Sequence, residues 1–361
     1  MKIKKAFKIV IIIIFSLLVL WLIVFISSRI RMNKDREFLE KNGYSHLVSV
    51  GDHSVNLLSY GNENGRHRII SIAGFGDPDP CISWRRMTAG LEDDNQVIFI
   101  DRAGYGLSDN TPQERTVENI TADYRSALRN AGVEAPYILL PHSIGGIYAS
   151  YWVSKYPEEI EAVVLMDTSE IKEYSPDQMR VDPDPAFLYA YRLDKMGAGG
   201  LGNLLVKTML PEKSYYTADE QRAEYALALL TFQNSAVIAE DIMMSRNMNE
   251  TWNMLVPNDV PKLYISAEFG YNTKDELIAD GGLDRETYLK FFHLEQDTDD
   301  DTLYDRYLEF CKKLRDKTLS AYAEKLGNCE IVCLPGDHCI YAQKPDECAK
   351  VINDYIEKLY E

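Results

Sequence analysis

Hydrophobic positions fall into two regimes along this chain. From Ile9 to Ser28 there are twenty residues without a charge, IVIIIIFSLLVLWLIVFISS, seventeen of them large and apolar. As a helix rising 1.5 Å per residue the run is about 30 Å long, the thickness of a bilayer's hydrocarbon core. A cleaved signal has a shorter apolar region, roughly 7–15 residues, followed by a small-residue site, and Ser27-Ser28-Arg29 is a poor one. Residues 1–28 are therefore expected to form a basic head and an uncleaved single-pass anchor, and the charged stretch 29–45 a juxtamembrane linker.

Beyond the linker, short β-rich runs recur: His53–Tyr60, Arg68–Ile72, Gln96–Ile100, Tyr137–Leu140, Ala162–Met166, Lys262–Ser266 and Glu330–Leu334. The later ones are almost continuously apolar, as strands buried on both faces are. Between them, Val117–Ala131 and Gly146–Tyr156 carry apolar residues at helical spacing. Alternating strand and helix predicts an α/β fold with a mostly parallel sheet and helices on both faces. Two gaps exceed simple crossovers. Residues 168–259, helix-prone at Asp184–Met196 and Ala218–Asn247, read as a helical unit inserted between two halves of a core, 46–167 and 260–361. A second helical insertion is expected at 268–328.

Composition narrows the function. Acids outnumber bases 56 to 39, for a net charge of −17, and the acid-free first 28 residues hold Lys2, Lys4, Lys5 and Lys8, which leaves −21 on the remainder. So acidic a body repels phosphate backbones, and no nucleic-acid partner is expected. Lysines before the span are nearly balanced by Arg29, Arg31, Lys34, Arg36 and Lys41 after it. The lysine-rich head and the anionic inner leaflet, which repels the body, favour an extracytoplasmic soluble domain. Six cysteines do not make a disulfide scaffold, and Cys329 and Cys333, four residues apart in a strand-like run, sit too far apart to bond if that run is extended. Cys333, His338 and Cys339 match no common zinc spacing, so no metal or organic cofactor is expected.

The chemistry concentrates in Tyr137–Gly146, YILLPHSIGG: an apolar strand, then His142-Ser143-Ile144-Gly145-Gly146, then a helix. A serine on a tight strand-to-helix turn is pushed out of the fold, and its Oγ sits at a helix N-terminus that favours developing negative charge. Otherwise Ser143 is simply a helix cap. Ser71–Gly76 follows a strand and offers the Phe75 N–H to join that of Ile144 in an oxyanion hole, while Leu334–His338 follows the last strand and brings His338 to the sheet's carboxyl edge.

Four motifs in this order, Ala73–Gly76, Asp101-Arg102-Ala103-Gly104-Tyr105-Gly106-Leu107-Ser108, His142–Gly146 and Gly336–His338, resemble those of the α/β-hydrolase superfamily from about His46 onward. The elbow P-H-S-x-x-G is similar to that of bacterial membrane-linked members. The resemblance implies an eight-stranded sheet, a helical cap after strand six, Ser143 as nucleophile, His338 as base and Phe75 and Ile144 as oxyanion donors. It also implies that Asp101 and Arg102 hold a turn. Two positions depart from the pattern, Pro141 before the elbow and Ala73 where the oxyanion loop often has histidine.

The triad acid has more than one candidate. After strand seven, Pro261–Gly270 puts glycine where many members carry aspartate, whereas Val164-Leu165-Met166-Asp167 offers an acid after strand six. Asp167 is the expected acid, with Glu268 and Asp275 as alternatives. These residues predict a membrane-anchored serine hydrolase cleaving an ester, thioester or amide of a small or acyl substrate through an acyl-enzyme. The competing expectation is a catalytically inactive binding protein on the same fold.

Overall fold

The computed structural model describes residues 2–169, 171–173, 175, 179, 182–197, 215–232 and 234–360. Strands β1 (Leu47–Ser49), β2 (Ser54–Gly61), β3 (His67–Ile72), β4 (Asn95–Ile100), β5 (Tyr137–Pro141), β6 (Ile160–Met166), β7 (Lys262–Ser266) and β8 (Cys329–Cys333) form one sheet. Their spatial order is β1-β2-β4-β3-β5-β6-β7-β8. β2 pairs antiparallel with β1 and β4, and every other neighbouring pair is parallel. Seven strands coincide with the predicted runs. β1 is three residues long, too short to leave a periodic signal. β5 and β7 are buried at every position, including Lys262 of β7, whose ammonium donates to Asn258 Oδ1 and to the carbonyls of Val260 and Gly327.

From β3 the chain turns to β4 on one side, and from β5 it turns to β6 on the other. The carboxyl ends of β3 and β5 thus flank the switch point at which open α/β sheets bind ligands.

Helix α1 (Lys2–Lys41) precedes the sheet, and α2 (Val117–Asn130) and α3 (Gly145–Lys155) pack together on one face of it. The Thr116 side chain accepts from the Asn119 N–H and so fixes the start of α2. Between β6 and β7 lie α4 (Pro185–Lys195), α5 (Ala218–Phe232) and α6 (Ser235–Met254), where a helical cap is expected. The part of that unit at 198–214 falls outside the described residues. Between β7 and β8 run α7 (Lys274–Ala279), α8 (Arg285–Phe291), α9 (Asp300–Leu314) and, beyond a π-helical stretch, α10 (Ser320–Leu326). α11 (Pro345–Lys358) completes one of the two apolar cores that sandwich the sheet.

The expected linker at 29–45 is instead largely helix, because α1 runs unbroken to Lys41. Leu39 is fully buried in the core, and Met32 and Phe38 pack against it. Asp35 pairs with Arg222 of α5 at 3.6 Å, and that guanidinium lies 3.9 Å over the Phe38 ring. Of the charges in this stretch, Arg31, Lys34, Arg36, Glu37 and Glu40 occupy the outward face of an amphipathic helix, while Asp35 faces α5. Within α1, Phe7–Lys41 is long and apolar enough to cross a membrane. Cys329 and Cys333 stand at the two ends of extended β8, and all six cysteines are free thiols.

Candidate active site

Four loops, after β3, β5, β6 and β8, carry the predicted residues at the carboxyl edge of the sheet. Ser143 follows β5 with φ of 52°, the left-handed conformation that a strand-to-helix elbow imposes and that non-glycine residues adopt at a cost. The elbow sits tightly against β3. A Cβ on Gly145 would lie 2.1 Å from the Ile72 carbonyl oxygen, so this position admits no side chain. A Cβ on Gly74 would meet His142 Nδ1 at 3.1 Å and Ser143 Cβ at 3.2 Å, so the loop after β3 lies directly on the elbow. Pro141, unusual before the motif, ends its strand, and the ladder continues through the His142 N–H to the Ile72 carbonyl at 3.0 Å.

Among the described residues, neither the Phe75 nor the Ile144 N–H donates to another group of the chain, and Ile144 opens α3 as its cap residue. The loop bearing Phe75 is held from below. Arg102, 4% exposed, donates to the carbonyls of Ala73 at 2.7 Å and Gly74 at 2.8 Å. The same guanidinium pairs at 3.0 Å with Glu240 of α6, which is completely buried and also accepts from the Tyr148 hydroxyl at 2.8 Å. Arg102 therefore does more than hold its own turn. It ties the Phe75 loop to the inserted helices. Glu240 escapes sequence reasoning because it lies 138 positions from its partner in no recognisable motif.

Beyond β8, His338 turns its Nδ1 to Asp167 Oδ2 at 2.7 Å. Asp167 directly follows β6 with φ of 41°, and its Oδ1 accepts from the Ala267 N–H at 2.7 Å. Burial disfavours a charged ring at His338, but the hydrogen bond and charge of Asp167, reinforced by Glu268, outweigh it and hold the pKa above the ordinary 6.5. Glu268 stands close by, and its own carboxyl is pushed up by burial and by the Asp167 charge. Asp275 lies in the first turn of α7 and is not part of this group.

His142 packs its ring 4.6 Å from that of His338, with its Nε2 2.8 Å from the His338 carbonyl oxygen. Burial, together with the charge of His338, lowers the His142 pKa to about 3, so the ring stays neutral and donates through Nε2. Ligand-type atoms of Asp167, Glu268 and His338 lie within 4.8 Å of one another. The Nδ1 of His338 and both oxygens of Asp167 are already engaged in hydrogen bonds, an arrangement suited to orienting a ring rather than coordinating a metal. A cavity of about 360 Å³ opens beside this pair, walled by Met248, Tyr264, Phe269, Phe310 and Leu314.

This architecture defines the class. The family described as alpha/beta hydrolase fold matches residues 69–198, the segment that carries the Phe75 loop, the Asp101–Ser108 stretch, the elbow and Asp167. The chain has the alpha/beta hydrolase fold, as its motifs imply. It is 25% identical over 99% of its length, and 99% of the relative's, to the uncharacterized protein YbdG of Bacillus subtilis. Among solved structures it is similar to the haloalkane dehalogenase DatA of Agrobacterium tumefaciens, with a TM-score of 0.56 and 15% identity over 87% of this chain and 96% of that one. A thermophilic esterase of Thermogutta terrifontis aligns with a TM-score of 0.54 and 16% identity over 88% of this chain and 99% of its own.

Proposed function

We propose that this protein is a membrane-anchored serine hydrolase that cleaves an ester, thioester or amide bond through an acyl-enzyme on Ser143. The observation that carries this reading is the 2.7 Å hydrogen bond from His338 Nδ1 to Asp167, on the same sheet edge as a serine held at φ of 52°. With Nδ1–H committed to Asp167, Nε2 of His338 is the nitrogen left to take the Ser143 proton. Ser143 Oγ then attacks the carbonyl carbon, and the oxyanion that forms is stabilised by the N–H groups of Phe75 and Ile144. The protonated His338, steadied by the Asp167 carboxylate, gives its proton to the leaving group. Water, deprotonated by the same nitrogen, releases the acid and restores the serine. Residues Ile9 to Ser28 are the membrane span, and the acidic body lies on the extracytoplasmic side.

Labelling with a fluorophosphonate probe tests this chemistry. The wild-type chain is expected to react and Ser143→Ala to lose labelling and ester hydrolysis while keeping its melting temperature. Retained labelling in the variant overturns the assignment of the nucleophile, and a wild-type chain that never reacts favours a binding protein on the hydrolase fold.

A further inference from the structure

We propose that the tip of the cap, from Tyr189 to Met196, is itself seated in the interface of the bilayer that the chain's own helix crosses. This inference rests on the membrane-anchor reading above and adds a second point of contact. The Trp21 indole N–H donates to the Met196 carbonyl, and the Gly197 backbone packs on the Phe25 ring so closely that a Cβ there would fall 2.3 Å from it. Arg29 stands 3.9 Å from Asp194.

Register turns these contacts into a depth. Trp21 precedes Ser28, the end of the uncharged run, by seven residues, which is about 10 Å along a helix. A cap tip that touches Trp21 and Phe25 therefore reaches below the end of the apolar run. Raising the chain until Trp21 cleared the membrane would leave only Ile9–Leu20 inside, about 18 Å of helix against a hydrocarbon core of about 30 Å.

The surface of the tip has the matching chemistry. Tyr189 and Met196 are 65% and 56% exposed, and Arg192 and Lys195 are exposed beside them. Aromatic and thioether groups interleaved with cations are the composition of a helix lying at a lipid interface. On a body this acidic, these two cations locally offset the negative charge where the tip meets headgroup phosphates. The opposite end of the same helix roofs the candidate site. Phe187 lies 4.8 Å from the Phe75 ring and within contact of Gly76. From Phe187 to Met196 is nine residues, about 14 Å.

The test uses the full chain in vesicles of phosphatidylethanolamine and phosphatidylglycerol doped with a phospholipid bearing a diazirine in the upper half of an acyl chain. After irradiation, adducts are mapped by mass spectrometry, and carbonate extraction reports whether the chain is integral. The expected result is adducts within 9–28 and also within 189–196, in a chain that resists extraction. Adducts confined to 9–28 overturn the seated tip and leave the anchor standing. A chain that carbonate releases, without adducts in 9–28, overturns the anchor and the seated tip together.

Discussion

Single residues decide whether the carboxyl edge works as a catalyst. If Asp167 fixes the tautomer of His338, Asp167→Asn should lower kcat by up to about 10⁴-fold with little change in KM, as isosteric neutralisation of a triad acid does. Glu268→Gln should cost less than about tenfold, because no hydrogen bond joins Glu268 to the ring; a larger loss in the glutamine variant would move the acid to β7. The pH profile separates the two carboxylates further. His338 must be neutral to accept a proton, and its pKa is held above 6.5, so kcat/KM should fall as pH drops through that raised value. Glu268 contributes to the elevation, so Glu268→Gln should slide the acid limb to lower pH, and an unmoved limb would refute that coupling. Gly145→Ala should destabilise the fold by about 1–3 kcal/mol, read as a drop in melting temperature, since its Cβ meets the Ile72 carbonyl of β3 with no flexible side chain to give way. Ser143, Asp167 and His338 were readable because each sits in a short local pattern beside a strand end. Glu268 was weighed from the sequence only as a substitute acid. Its place beside both Asp167 and His338 follows from β7 lying next to β6, a neighbourhood that no local spacing encodes.

At the level of elements, the coupling between sheet and cap runs through buried charge. Arg102 leaves the loop after β4, Glu240 projects from α6, and the guanidinium reaches the two carbonyls at the base of the Phe75 loop. Glu240→Gln should cost about 3–5 kcal/mol in unfolding free energy, the usual result of leaving one partner of a buried pair uncompensated, and chemical denaturation measures it directly. A loss under about 1 kcal/mol would mean that the cap helix is not held by this contact. The strands and the helices α2 and α3 follow from apolar periodicity, and β1 is missed because three residues carry no period. The stretch after the span was misread for a related reason. Its charges dominate the composition, while Met32, Asp35, Phe38 and Leu39 recur at helical spacing and point inward. That signal was present in the sequence but weaker than the charge.

For the molecule as a whole, orientation is the property to measure. Protease added to intact cells should degrade the domain beyond Ser28 if the body lies outside, whereas digestion only after lysis would place it inside. The mass of the mature chain checks the anchor separately, because loss of about the first 28 residues would reveal a cleaved signal. The unbroken helix from the span to Lys41 carries one more consequence. A flexible tether of the same length, residues 29–45, would let the body roam over roughly 20–25 Å. A rod fixed to the core through Leu39, with Met32 and Phe38 packed beside it, allows no such slack. In the proposed anchored state the protein forages in two dimensions. It meets only what drifts into a shell one domain thick above the lipid, so its turnover in the cell would follow the lateral density of its target in that layer rather than the target's concentration in the surrounding fluid.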